Sequence, residues 1–439
     1  MFYKISDSVL IVLLFPRFLD YIIKDNHDVK ESIEALLKEL PDFPDDLGED
    51  DDLDEVVHIV CVLCGRGHRL DEAEMMVKSA VLHTQTDLHF TIVTDQQELL
   101  EPRIRAILGM KKQFSITINF HLPGDFMIIN SFCYAIFAYL GQIEEKDSDI
   151  VNTWAPCIGL RTYFPSLFPN FKKIIYVDTD VLFQDSPHNL WRHFQYMNRS
   201  QIIGVAVDQA LLSISSYDND VSFPSPPGGL NTGVMLLNLE RMRKIGYKDI
   251  VLKIIKHFKD LLALPDQDVK NILTGLFPKL LYRLPVSWNT NIMSCSGCME
   301  EQPLCKINKI SGSNNVSLIH GTSHTFHQSV SITTYQGIKM IQEKLFRLFK
   351  TYQSNFTTLT KYVFFPYFIS NSVGWEQVTI LQQIFQTYKE IDLENVCQTL
   401  EKKIVDTWES KNYEGYWCEQ YVPDIVYSLN KLHNRHCQK

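Results

Sequence analysis

The chain has 439 residues, of which 45% are hydrophobic and 21% are charged, and this ordinary globular composition excludes a disordered or collagen-like chain. The formal net charge of -10 argues against a general nucleic-acid-binding protein, because such a protein presents a basic surface. Nine acidic residues fall within residues 41–55, a stretch without Lys or Arg, so the rest of the chain is nearly neutral.

The first 55 residues predict a targeting segment followed by an acidic stem. A short apolar run at 9–15 follows Lys4 and is too short for a standard membrane-spanning helix. It fits the core of a signal peptide, with a shortened type II anchor and an ordinary buried element as alternatives. Three N-x-[ST] triplets and an even number of cysteines favour the lumen of the secretory pathway, either the ER or the Golgi.

From residue 56 the pattern becomes that of an α/β sheet. An apolar run at 56–63 predicts a buried strand, apolar residues at helical spacing follow at 71–83, and a second strand is predicted at 88–94. This order is a βαβ unit. Cys61 and Cys64 lie in the apolar run and are predicted to be buried thiols. No G-x-G-x-x-G motif is present, which argues against a dinucleotide-dependent dehydrogenase.

The strand pattern resumes further along the chain, and the sequence beyond it turns helical. Further strands are predicted at 172–177, 201–207, 234–238 and 316–320. Helices are predicted at 249–262 and from Pro265. We therefore divide the chain into a signal or anchor followed by an acidic stem (1–55), a catalytic domain (56–330) and a helical, aromatic C-terminal extension packed on that domain (331–439).

The strongest chemical signal is the Asp178-Thr179-Asp180 motif at the end of a predicted strand. In open α/β sheets, ligands collect at the carboxyl ends of the strands. Two carboxylates separated by one residue can bind one hard divalent cation, although a solvated strand end is the simpler alternative. His320 follows a short strand, and mixed Asp and His ligation suits Mn²⁺.

Four further polar residues are candidates for binding and catalysis. Asn231 enters a strand after a Gly- and Pro-rich turn, and Asp266 and Gln267 open a helix. Arg161 lies in a mainly apolar stretch and needs an anionic or hydroxyl-rich partner there. Helix capping by Asp266 and a structural ion pair for Arg161 remain alternatives.

In this order, the motifs resemble those of glycosyltransferase family 8, and within it the glucoside xylosyltransferases. The resemblance covers roughly residues 56–330, and its most specific pieces are the D-x-D, D-Q-D and H-G motifs. It implies an α/β fold of the GT-A type, in which a Rossmann-like mixed sheet is flanked by helices, with a mostly helical C-terminal extension.

The resemblance also implies a UDP-sugar donor, Mn²⁺ and retention at the anomeric carbon. It assigns the metal ion to Asp178, Asp180 and His320, with Gln267 or the departing phosphate beside the reacting face. The remaining matched positions are Val62, Leu63, Cys64 and Gly65 for the uridine, Thr179 within the D-x-D motif, and Arg161, Asp178, Asn231, Asp266 and Gln267 for the donor sugar. Many family members carry a phosphate-binding Lys-Pro-Trp after the H-G motif, and His327 is the candidate to replace it here.

The leading interpretation is transfer of xylose from UDP-xylose to O-linked glucose on an acceptor protein such as one with EGF-like repeats. The alternatives are another family 8 transferase that uses UDP-glucose or UDP-galactose, a xyloside xylosyltransferase, and a catalytically silent GT-A binding protein. No nucleic-acid partner is expected, and contact with a membrane is expected only through the N-terminus.

Overall fold

The structure is a computed structural model of the chain. It describes residues 30–48, 56–64, 67–108, 114–121, 160–208, 225–226, 229–258, 265–290, 316–321, 326, 375–392, 395–409 and 422–437. The predicted targeting segment at 1–23 and the first part of the C-terminal extension lie outside the described residues. Across the described ranges, no helix combines the length and the apolar character needed to cross a bilayer.

Within the described ranges, nine strands form two sheets. They are β1 (Val57–Leu63), β2 (Leu88–Thr94), β3 (Ile116–His121), β4 (Lys173–Val177), β5 (Val181–Phe183), β6 (Ile203–Val207), β7 (Leu230–Asn238), β8 (Leu281–Arg283) and β9 (Leu318–His320). The main sheet has the order β3-β2-β1-β4-β7-β6-β8, in which β7 runs antiparallel to both of its neighbours and the other pairs are parallel. Strands β5 and β9 form a separate antiparallel pair.

Helices flank the main sheet. They are α1 (His68–His83), α2 (Gln97–Leu108), α3 (Phe164–Leu167), α4 (Pro187–Trp191), α5 (Leu239–Lys244), α6 (Tyr247–Phe258), α7 (Pro265–Leu276), α8 (Trp375–Glu390), α9 (Val396–Lys403) and α10 (Val422–Cys437). Helix α4 has a favourable start, because Ser186 Oγ accepts a hydrogen bond from His188 N and Pro187 occupies the first helical position. The mixed sheet with flanking helices confirms the predicted fold class.

The two faces of the main sheet carry separate apolar cores. In β4, Ile174 and Tyr176 face one core, whereas Ile175 and Val177 face the other. This alternation follows from the two-residue period of a strand. The strands at the centre of the sheet are buried on both faces, which explains why the sequence of β1 is almost continuously apolar.

The helices α8, α9 and α10 form a C-terminal layer over the small β5–β9 sheet. Their apolar residues share a third core with Leu182 of β5 and Ile319 of β9. A disulfide between Cys397 and Cys437 joins α9 to α10. The layer therefore packs against β5, which follows the D-x-D motif, and against β9, which ends at the His320 of the H-G motif.

Residues 30–48, which we call the N-terminal segment, pack against the catalytic body. Leu36, Phe43 and Leu47 are buried in the same core as Tyr176. This part of the predicted stem is therefore anchored to the folded body, because three apolar residues among the polar ones are buried.

The two cysteines near the end of β1 differ from each other. Cys61 is a buried free thiol, as the sequence predicts. Cys64 is disulfide-bonded, so the prediction of a buried thiol is wrong for this residue. The physical reason is position, because Cys64 lies one residue beyond the last residue of β1, where the chain leaves the sheet.

Candidate active site

Three potential metal ligands meet where β4 ends. Asp178 and Asp180 follow β4 directly, and the pairing of β5 with β9 places His320 opposite Val181. One ligand atom from each of the three side chains lies within 4.8 Å of the others. His320 Nε2 is 3.3 Å from Asp180 Oδ1 and 3.8 Å from Asp178 Oδ2. The structure thus brings together three residues that the sequence separates by about 140 positions.

Neighbouring groups hold the imidazole of His320 in one orientation. Its Nδ1 lies 2.8 Å from Asn289 Oδ1, so Nδ1 donates to this oxygen and Nε2 is directed at the two aspartates. Asn289 Nδ2 donates to Asn231 O and Oδ1, which fixes the side of the amide that faces His320. A Cβ added to Gly233 would lie 2.0 Å from His320 Cε1, so only glycine leaves room for the ring.

An arginine with a half-buried side chain connects the potential metal ligands to helix α7. Arg161 Nη1 donates to Asp178 Oδ1 at 2.8 Å, and Nη2 donates to Asp266 Oδ1 at 2.7 Å. The hydroxyl of Tyr176 also donates to Asp178 Oδ1. Because that oxygen is already bound twice, Asp178 Oδ2 is the atom left to face His320 and a cation.

The amide side chains of Asn231 and Gln267 lie on the same side of this network. Gln267 Oε1 accepts from Thr232 N at 3.2 Å and from Thr232 Oγ1 at 3.4 Å. Asn231 Oδ1 accepts from Gly233 N, and Asn289 joins it to His320. Asn231 is therefore linked through Asn289 to His320, whereas Gln267 is bound to Thr232, the residue next to Asn231.

Charges in the site shift the pKa values of its members. Burial opposes the ionisation of Asp180, but the facing His320 outweighs burial and lowers the pKa of Asp180. Burial likewise opposes the protonation of His320, but Asp180 and Asp178 outweigh it and raise the pKa of His320. Burial also works against the charge on Arg161, yet Asp266, Tyr176 and Asp178 raise its pKa well above the usual value. The carboxylate of Asp180 and the guanidinium of Arg161 are thus both held in their charged forms.

The end of β1 lies beside the end of β4. The register pairs Val60 with Tyr176, so Val62 reaches the level of Asp178 and Leu63 and Cys64 extend past it. Val62, Leu63 and Cys64, which the resemblance assigns to the uridine, therefore lie beside the metal-ligand end of β4. Gly65 and His327 lie outside the described residues, so the structure does not place them.

Four functional candidates were not assigned roles from the sequence. They are Tyr176, Asp208, Lys270 and Asn289. Two of them had a local signal, since Tyr176 precedes Asp178 by two positions on a strand and Lys270 follows Asp266 by four on a helix. Asp208 follows β6 and helps to raise the pKa of His320. The spacing thus places Tyr176 on the same face as Asp178, and Lys270 on the same face as Asp266.

The residues at the triad fit a hard divalent cation. Two carboxylate oxygens and one imidazole nitrogen converge, and the opposite atoms of Asp178 and His320 are already held by Arg161 and Asn289. Such oriented ligands are the arrangement that metal sites require. Mixed oxygen and nitrogen ligation is compatible with Mn²⁺ and related ions.

Comparison with known proteins points in the same direction. The model of the family described as Glycosyl transferase family 8 matches residues 60–325, which include all three triad residues together with Arg161 and Asp266. The match therefore spans more than half of the chain.

Two curated relatives show how far the similarity extends. Glucoside xylosyltransferase 2 of Mus musculus is 27% identical over 66% of this chain and 64% of its own length. Glucoside xylosyltransferase 1 of Gallus gallus is 27% identical over 65% of this chain and 63% of its own length. The chain thus spans slightly less than two thirds of each relative. A crystal structure of mouse Xyloside xylosyltransferase 1 aligns with a TM-score of 0.46 at 18% identity, over 61% of this chain and 98% of that chain.

Proposed function

The chain belongs to glycosyltransferase family 8, and on that premise we propose that it moves a sugar from a UDP-sugar donor to an acceptor, with retention at the anomeric carbon. The specific reaction we propose is transfer of xylose from UDP-xylose to O-linked glucose on a protein acceptor such as one with EGF-like repeats. The observation that carries the proposal is the convergence of Asp178, Asp180 and His320, joined through Arg161 to Asp266. Similarity to the two glucoside xylosyltransferases supports xylose as the donor sugar.

The triad would hold Mn²⁺ against the diphosphate of the donor. A divalent cation there would neutralise the charge that develops on the departing UDP. The chain contributes Asp178 Oδ2, Asp180 Oδ1 and His320 Nε2, each oriented before the donor arrives. Preorganised ligands of this kind need no rearrangement during the reaction.

The residues around α7 would hold the sugar. Asp266 is buried, and its Oδ2 has no hydrogen-bond partner among the described residues, so it is suited to accept from a sugar hydroxyl. Gln267 is fixed through its side-chain oxygen, and Asn231 is fixed through Asn289. We assign Gln267 to the reacting face, where it would orient the anomeric carbon for attack.

Two further assignments complete the proposal. Val62, Leu63, Cys64 and Gly65 would cradle the uridine, and His327 would contact the phosphates.

We also propose that the enzyme works in the oxidising lumen of the secretory pathway, either the ER or the Golgi. The disulfide between Cys397 and Cys437 supports this location, because such bonds persist in oxidising compartments.

The test is release of UDP from a panel of UDP-xylose, UDP-glucose and UDP-galactose, measured with Mn²⁺ and with a chelator. We expect Mn²⁺-dependent release from UDP-xylose, and we expect Asp180→Asn to lower it by about 10²-fold or more because a ligand charge is lost. Asp45→Asn is the control, since Asp45 lies in the N-terminal segment and its side chain is 91% exposed.

Each other outcome has a defined meaning. Preferential release from UDP-glucose or UDP-galactose would overturn the donor while keeping the reaction class. Absence of release from every donor, with and without a glucosylated EGF-like acceptor, would overturn the enzymatic proposal in favour of a silent binding protein.

A further inference from the structure

Helix α7 buries a lysine one turn after Asp266. Lys270 is 1% exposed, and its Nζ donates to Asp266 O at 3.1 Å. The same Nζ lies 3.7 Å from Asp266 Oδ2. A buried ammonium is costly unless a negative charge faces it. The position of Lys270 therefore indicates that its ammonium balances the charge of the Asp266 carboxylate.

The charge balance around Asp266 explains why a second cation is needed. Arg161 is bound both to Asp178 and to Asp266, so two carboxylates share one guanidinium. Lys270 supplies the other positive charge on the side that Arg161 does not reach. Asp266 Oδ1 is occupied by Arg161, whereas the buried Oδ2 has no hydrogen-bond partner in the described part of the chain.

We propose that Lys270 is a positioning residue for the donor sugar, because its ammonium holds the Asp266 carboxylate so that Oδ2 accepts a hydrogen bond from a sugar hydroxyl. The inference rests on the proposed function, which places the donor sugar beside Asp266. Lys270 acts through Asp266 rather than on the sugar itself. Its influence should therefore concern the sugar part of the donor and not the nucleotide.

The first test compares the donor with its nucleotide. Lys270→Met keeps the length of the side chain and removes its charge, which leaves Asp266 and Asp178 with a single shared cation. We expect the kcat/KM for the UDP-sugar to fall about tenfold or more, because breaking one side of a buried charge pair is costly. The affinity for UDP with Mn²⁺, measured by calorimetry, should stay within about twofold, because UDP carries no sugar to be positioned.

Two further variants separate positioning from general damage. Lys270→Arg retains the charge and should recover part of the lost kcat/KM. Lys78→Met is the matched control, because Lys78 is also a buried lysine that donates to a backbone carbonyl, that of Lys389 in the C-terminal layer. We expect this control to keep the donor kinetics of the unaltered chain. An equal loss of UDP affinity and donor turnover in Lys270→Met would overturn the inference.

A measurement on the unaltered chain keeps the inference testable even where Lys270→Met does not fold. Burial lowers the pKa of Lys270 to about 8 against the opposing pull of Asp266, and Arg161 and Asp178 are the other charged groups that act on it. The KM for the donor should therefore rise through about pH 8 as the ammonium is lost, while UDP affinity does not follow it. A donor KM that stays constant from about pH 7 to about pH 9 would contradict the proposal.

The outcomes distinguish this inference from the function on which it rests. If the unaltered chain releases UDP from no donor, the proposed function is contradicted, and so is the role of Lys270 that depends on it. If the unaltered chain is active and Lys270→Met matches it in donor kcat/KM, only the role of Lys270 is overturned.

Discussion

At the scale of single residues, the candidate site depends on contacts that leave no room for a side chain. Gly233 of β7 lies directly beneath the His320 ring, and its carbonyl accepts a hydrogen bond from Asp178 N. One glycine therefore makes contact with two of the three potential metal ligands. A Cβ at this position would meet His320 Cε1 at 2.0 Å, a distance at which the ring must move.

Replacing Gly233 should consequently remove the metal site. In Gly233→Ala we expect His320 to leave Asn289, and we expect the affinity for Mn²⁺ to fall about 10- to 100-fold, as it does when an orienting partner of a ligand is lost. Calorimetric titration with Mn²⁺ checks this. Gly246→Ala is the control, because its φ of 69° makes the substitution unfavourable while no atom lies within 4 Å of the added Cβ. Equal Mn²⁺ affinities in the two variants would contradict the expectation.

The sequence predicted the site residues that belong to compact motifs and missed those that act across the fold. Asp178 and Asp180 stand together in the chain, so their shared chemistry could be recognised before the structure was known. Asn289 orients His320 from 31 positions away, and its role depends on the bridge between Thr290 and Ile319, which brings the two side chains to 2.8 Å. Contacts of this kind follow from tertiary packing, which a single sequence does not specify.

At the scale of elements, the long buried strands were predicted, as was the short β9 from the apolar run that contains it, whereas β5, β8 and β3 were not. The apolar runs that became β1, β2 and β4 carry enough residues to show a pattern. Strands β5 and β8 have three residues each, too few for a period to be visible. Strand β3 was also missed, because it is the edge strand of the main sheet and its burial alternates with exposed polar positions.

The short strand β5 is supported by the C-terminal layer. Tyr388 of α8 is fully buried, and its hydroxyl donates to Phe183 O at 3.0 Å. Because that single proton is used, His83 Nε2 donates to the same hydroxyl at 2.7 Å. Tyr388 thus joins α1 and β5 to the C-terminal layer. Its partner Phe183 lies three residues beyond Asp180 of the candidate site.

Removing this hydroxyl should destabilise the chain without touching the site. Tyr388→Phe removes the hydrogen bonds that the hydroxyl makes with Phe183 O and His83 Nε2, and the loss of these two buried bonds should lower the free energy of unfolding by about 1–3 kcal/mol. Thermal or denaturant unfolding measures the change. Tyr427→Phe is the control, since Tyr427 lies in α10 and is 54% exposed. A Tyr388→Phe chain as stable as this control would show that the bond contributes nothing to holding the layer.

At the scale of the whole molecule, the N-terminal segment is attached by two kinds of contact. Basic side chains reach its backbone and carboxylates, as when Lys279 Nζ donates to Phe43 O at 2.6 Å and to Asp45 Oδ1 at 2.7 Å. Phe43 itself is buried, and its ring packs edge-on against Phe277 at 4.6 Å between centroids. Exposed ion pairs contribute little to stability, whereas a buried aromatic ring contributes several kcal/mol. The apolar contact should therefore dominate.

Three variants of the N-terminal segment test this ranking by denaturant unfolding. Phe43→Ala should lower the free energy of unfolding by about 3–5 kcal/mol, because it removes a buried ring and leaves a cavity beside Phe277. Asp45→Asn should cause no measurable change, since the carboxylate is solvated and the Lys279 bond to Phe43 O remains. Leu37→Ala, at a position that is 45% exposed, should stay within about 0.5 kcal/mol of the unaltered chain. A larger loss in Asp45→Asn than in Phe43→Ala would mean that charge, and not apolar burial, attaches the segment to the catalytic body.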